Sequence, residues 1–126
     1  MPGLATTMAS TTIFRRGQVV VVEVTFTGQG GSKPRPALVI SADTFHKKLL
    51  DVIVCPISSQ PRYFAKPGAG DVPLKAWAKV GLRHPSTARL SNLVAVEKSL
   101  IRRVIGTMPA DDLLRVLAAL RKVFGL

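Results

Sequence analysis

QVVVVEV, residues Gln18–Val24, opens directly after Gly17 and carries five valines in seven positions. Valine is stiff at χ1 and packs well on a pleated surface, and the run is too short and too uniformly apolar for a helical period. It predicts a strand, largely buried. Two further β-rich runs follow, ALVIS at 37–41 and DVIVCPI at 51–57, joined by ADTFHKKLL at 42–50, which has room for a turn of helix. TFTGQGGSKPRP (25–36) and the stretch 61–70 are rich in Gly and Pro and read as loops. Leu74 to Val80, around Trp77, reads as about two helical turns ended by Gly81. After Pro85 the pieces STARL, LVAVE and RRVIGTM have strand length. The period then changes. Leu113, Val116, Leu117, Leu120 and Phe124 fall on one helical face, with Asp111 and Asp112 in the first turn and Arg121 and Lys122 near the end, as the helix dipole favours. The pattern predicts a small β-sheet carrying a C-terminal helix.

At 126 residues the chain has the size of one domain, expected over 13–126 behind a frayed tail at 1–12, with Met8 as a second candidate start. Eighteen Lys and Arg against seven Asp and Glu leave a net charge of +11, which calls for a polyanionic partner: nucleic acid, an acidic protein or an anionic surface. A membrane is the weakest of these, since no apolar stretch approaches the roughly 18 residues needed to span one. The first residues, MPGLATTMASTTIF, lack the basic start and apolar core of a signal peptide, so a cytoplasmic protein is expected. Cys55 is the single cysteine. It excludes an intrachain disulfide and, inside an apolar run, reads as a small buried hydrophobe rather than a reactive thiol.

Three stations that suit phosphate chemistry follow or precede these strands: Arg35 before ALVIS, Ser58 and Ser59 after VIVCPI, and Arg89 in STARL. Arg35 lies between Pro34 and Pro36, and the second proline drives it towards an extended backbone, so its charge is carried on a stiff segment. Trp77 reads as a core anchor more than as a stacking platform. The basic run KSLIRR (98–103) reads as a solvated face that can extend a binding surface or meet a second copy. Five Phe, one Trp and one Tyr are few for a module that binds RNA by stacking, which favours binding led by phosphate contacts.

In this order, RGQVVVVEV, KPRPALVIS, VIVCPISSQ and the block running from VPL through KSLIRR to a leucine-rich helix resemble the PemK/MazF family of toxins, from about Arg16 to Leu126. The resemblance implies an SH3-like β-barrel with a C-terminal α-helix, a homodimer, and cleavage of single-stranded RNA with neither metal nor other cofactor. It also implies an acidic antitoxin as partner, DNA being reached only through that antitoxin. Residue by residue, it places Arg35 and Ser58 at the scissile phosphate and sets Arg89 where some members have an arginine that acts as the acid; Lys33, Ser59, Gln60, His84 and Ser91 are expected to contact the RNA around these three catalytic candidates. Relatives of the same fold that poison gyrase through their C-terminal residues, and an inactive module that only binds antitoxin, are the alternatives.

One position departs from the family pattern. Where some members carry a carboxylate base two residues after the arginine at position 89, this chain has Ser91. Attack of a 2′-hydroxyl on phosphorus needs a proton acceptor, and neither arginine nor Ser58 is one near neutral pH. The chain has two histidines, His46 and His84, either of which can fill that role. His46 is the preferred catalytic candidate, because it follows the strand that Arg35 precedes and because Pro85 can turn His84 away. Catalysis by positioning and electrostatics without a dedicated base is the other possibility.

Overall fold

The computed structural model describes residues 13–24 and 33–126, so the expected tail at 1–12 and residues 25–32 of the first loop lie outside the described residues. Seven strands follow one another: β1 (Gln18–Val24), β2 (Lys33–Val39), β3 (Asp51–Ser58), β4 (Asp71–Pro73), β5 (Thr87–Arg89), β6 (Val94–Glu97) and β7 (Ile101–Thr107). The helices are α1 (Asp43–Lys48), α2 (Pro61–Ala65) and α3 (Ala110–Phe124). All pairings are antiparallel, in the order β4-β5-β3-β2-β1-β7, with β6 on the first half of β3. The expected architecture is met by this sheet and its C-terminal helix, but the ladder does not close into a barrel: β4 and β7 end it.

The apolar runs are continuous because the sheet is covered on both faces. In β3, Val52 and Val54 join Val20, Val22, Ala37, Val39 and Val96 in one core cluster. Their neighbours Ile53, Cys55 and Ile57 belong to the other, with Val19, Leu38, Leu74, Leu90 and Val116. Successive residues thus enter opposite cores, as the two-residue strand period requires. Val116 of α3 is fully buried in the second cluster, where Leu113 and Leu120 pack beside it. Phe124, expected to finish that apolar face, remains 59 % exposed. Gly125 ends the helix at φ 69°, with Leu126 N–H donating to the Arg121 carbonyl at 2.8 Å. No helix among the described residues is long and apolar enough to cross a membrane.

Three local expectations are corrected. Lys33–Pro36 are strand rather than loop, because β1 pairs with them through Glu23↔Pro34 and Val21↔Pro36. The two prolines are tolerated since, two apart, they lack N–H groups on the same lateral side of the strand, the side where pairing with β3 has already stopped at Ala37↔Pro56. The stretch 61–70 is not all loop: Pro61, suited to a first helical position, starts α2. Leu74–Val80 forms turns instead of a helix. The Asp112 carboxylate of α3 takes the N–H groups of Lys75 (3.2 Å) and Ala76 (2.8 Å), fixing the turn from outside. Gly81, at φ 94°, closes it, and Trp77 packs against the core.

Candidate active site

Past Ala37↔Pro56 the β2–β3 ladder ends, and the strands part. Continuing that register by two residues sets Arg35 opposite Ser58. Ser58 in turn pairs with Thr87 of β5, the strand that ends at Arg89. Three prolines, Pro34, Pro36 and Pro56, surround this mouth and stiffen it. The result is a groove of about 530 Å³, lined among others by Arg35, Ser58 and Arg89. Ser59, Gln60 and His84 line it as well. Ser58 Oγ accepts the Gln60 N–H at 3.2 Å, which leaves its own proton to donate into the groove. His84 is exposed and held by its backbone, since the buried Ser86 hydroxyl donates to the His84 carbonyl at 2.7 Å. Pro85 therefore does not turn it away.

Three expected residues fall outside the groove's lining. Lys33 is exposed at the start of β2. Ser91 is exposed, with its hydroxyl 3.4 Å from Asn92 Oδ1, and it is Asn92 that lines the groove. His46 is the clearest correction. Only 3 % exposed, it lies on α1 and packs into the protein instead of facing the groove. Its Nδ1 is 3.0 Å from the Phe14 carbonyl, which can only accept, so Nδ1 carries the proton. Nε2 is then the acceptor for the Ser41 hydroxyl, whose oxygen receives the Ile53 N–H at 2.9 Å. Lys98 donates to the His46 carbonyl at the end of α1. Both ring nitrogens are occupied by structural partners.

The groove also gathers Arg83 and Tyr63, which local sequence does not single out, and Arg103 from the KSLIRR run, which the sequence offers as an extension of a binding surface. Arg103 arrives because β7 pairs with β1 at Val21↔Arg103, and Tyr63 because 61–65 is helical. Its arginines are thus four, Arg35, Arg83, Arg89 and Arg103, and among the described residues no Asp or Glu lines it. Such a groove focuses a positive field and offers planar guanidinium forks that match phosphate oxygens. Arg89 alone of the four has a carboxylate partner among the described residues, Asp71 Oδ1 at 2.9 Å.

Fold and groove together define a small, strongly basic β-sheet protein with an arginine-lined groove at the mouth of its central strands. Residues 15–124 match the PemK-like, MazF-like toxin of type II toxin-antitoxin systems, and the chain belongs to that family. Solved structures agree in fold. The MazE–MazF complex of Deinococcus radiodurans (form III) is 25 % identical with a TM-score of 0.71, over 91 % of this chain and 99 % of that one. The Mycobacterium tuberculosis toxin MazF-mt6 is 23 % identical, TM-score 0.70, over 86 % and 97 %. An endoribonuclease from mycobacterial species is 15 % identical, TM-score 0.71, over 91 % and 94 %. Comparison with curated proteins gave no match.

Proposed function

We propose that this toxin is an endoribonuclease that cuts single-stranded RNA by attack of a ribose 2′-hydroxyl on the adjacent phosphorus. The observation that carries the reading is the convergence of Arg35, Ser58 and Arg89 on one groove free of lining carboxylates among the described residues. In the reaction the 2′-oxygen forms a bond to phosphorus, the bond to the 5′-oxygen breaks, and that oxygen takes a proton from solvent, into which the 2′-hydroxyl proton is finally released, so that a 2′,3′-cyclic phosphate and a 5′-hydroxyl result. Charge grows on the phosphoryl oxygens as this happens. Arg35 and Arg89 stabilise it with guanidinium forks, and Ser58 donates a hydrogen bond to the same oxygens. His84 accepts the proton of the 2′-hydroxyl: of the residues lining the groove, it alone carries a group that ordinarily changes charge near neutral pH. Ser59, Gln60, Arg83 and Arg103 hold the flanking nucleotides.

The same groove is the docking site for an acidic antitoxin segment, and the toxin works as a homodimer. Complexes of the Deinococcus radiodurans toxin with MazE and of a mycobacterial endoribonuclease with its cognate antitoxin support such a partner. The test is direct: purified protein with mixed-sequence RNA in EDTA should release fragments with 5′-hydroxyl ends. Arg35→Ala, which removes one preorganised donor, should slow cleavage by about 100-fold or more while thermal unfolding stays close to wild type. Intact RNA with the wild-type protein overturns the reading, and inhibition of gyrase in its place would favour the non-nuclease alternative.

A further inference from the structure

The geometry points to Asp71 as a positioning residue that holds the Arg89 guanidinium in its working orientation. The inference rests on the endoribonuclease reading, in which Arg89 meets the scissile phosphate. Asp71 and Arg89 are cross-strand partners on β4 and β5. Arg89 Nε donates to Asp71 Oδ1 at 2.9 Å. The other oxygen, Oδ2, accepts the Gly68 N–H at 2.9 Å, while the Asp71 N–H returns to the Gly68 carbonyl at 3.1 Å. The carboxylate is therefore fixed from both sides.

Exposure separates the two roles. The Asp71 side chain is 3 % exposed and does not line the groove, whereas that of Arg89 is 23 % exposed and does. Asp71 is thus out of reach of a substrate proton and acts only through its partner. Tyr63 completes the clamp: the Arg89 Cζ lies 3.7 Å from its ring centroid, so one face of the guanidinium is covered. With Nε bonded and one face covered, the two Nη groups remain as donors, set in a plane the side chain cannot easily leave. A long, flexible cation is converted into an oriented fork. Orientation of this kind, more than charge, is what a developing transition state uses.

The experiment is a double-mutant cycle on cleavage of mixed-sequence RNA in EDTA, with thermal unfolding followed in parallel. Asp71→Asn should lower kcat by about 10- to 100-fold, the range expected when a catalytic group is slightly misplaced, and leave KM nearly unchanged. In an Arg89→Ala background the same Asp71→Asn change should cost nothing further. Equal losses in both backgrounds, as a purely structural role would give, overturn the proposal while the endoribonuclease reading stands. Arg89→Lys supplies a second arm that does not depend on Asp71→Asn folding. A single ammonium cannot both engage Asp71 and fork onto phosphate, so this variant should lose nearly as much as Arg89→Ala, and retention of most of the rate overturns the proposal. A wild-type chain that leaves RNA intact removes the inference together with the reading beneath it.

Discussion

Cys55 shows how far burial alone can set a residue's chemistry. Desolvation pushes its thiol from 9.0 up to about 12, against the opposing hydrogen bond from the Arg89 backbone. The thiolate is the nucleophile, so Cys55 should resist thiol reagents at pH 8 in the folded protein and label rapidly in denaturant, a difference that mass spectrometry reads directly. The linkage has a definite sign. Above 9.0 the unfolded thiol loses its proton while the folded one keeps it, so the contribution of Cys55 to stability falls as pH rises from 9.0 towards about 12. The two histidines show the limits of local reading. Arg35 was legible because its stiffness comes from the prolines on either side, whereas the fate of His46 depends on Phe14 and Ser41, which only the fold brings to it. His84→Ala should lower the cleavage rate at saturating RNA by about 100- to 10,000-fold, the range for a general base. His46→Ala should keep most of that rate and instead lower stability by about 1–3 kcal/mol through the buried partners left unpaired, which paired rate measurements and denaturation curves will separate.

Helix α3 and the turn at 75–81 respond to different rules. The face of α3 was plain from its spacing, because a 3.6-residue period is a local property of the chain. The turn has the sequence of a short helix because nothing local announces that a carboxylate from α3 will take two of its N–H groups. Asp112 is fully buried and also receives Arg115 Nη1 at 2.6 Å, so one side chain joins helix to turn. The turn is held equally from below. A Cβ on Gly106 of β7 would come within 2.6 Å of the Val80 carbonyl oxygen, an approach only glycine permits. Asp112→Ala should therefore destabilise the protein by about 1–3 kcal/mol, the range for orphaned buried donors, seen as a lower midpoint in denaturant with an unchanged slope. A lower slope would mean that the substitution had loosened the native state itself, so that less surface is left to expose on unfolding.

At the scale of the molecule, composition announced a polyanionic partner and the fold shows where the charge is gathered. Which strands share a rung was not legible, since Arg35, Ser58, Arg89 and Arg103 meet through pairings between distant segments. Because antitoxin and RNA are assigned one groove, their binding should be mutually exclusive, and both should weaken with salt as counterions are released on phosphate or carboxylate contact. Competition in fluorescence anisotropy at two salt concentrations tests this, and a stable ternary complex with intact RNA would contradict it. The pairing of β1 with β7 has a consequence for how the toxin comes into being. Gln18 finds Thr107 only across about ninety residues of chain, a closure that is slow and must wait for the last strand to be made. Arg103, one of the four groove arginines, is delivered by that same pairing. A chain in which β7 has not yet paired with β1 thus lacks Arg103 in place and with it a finished groove.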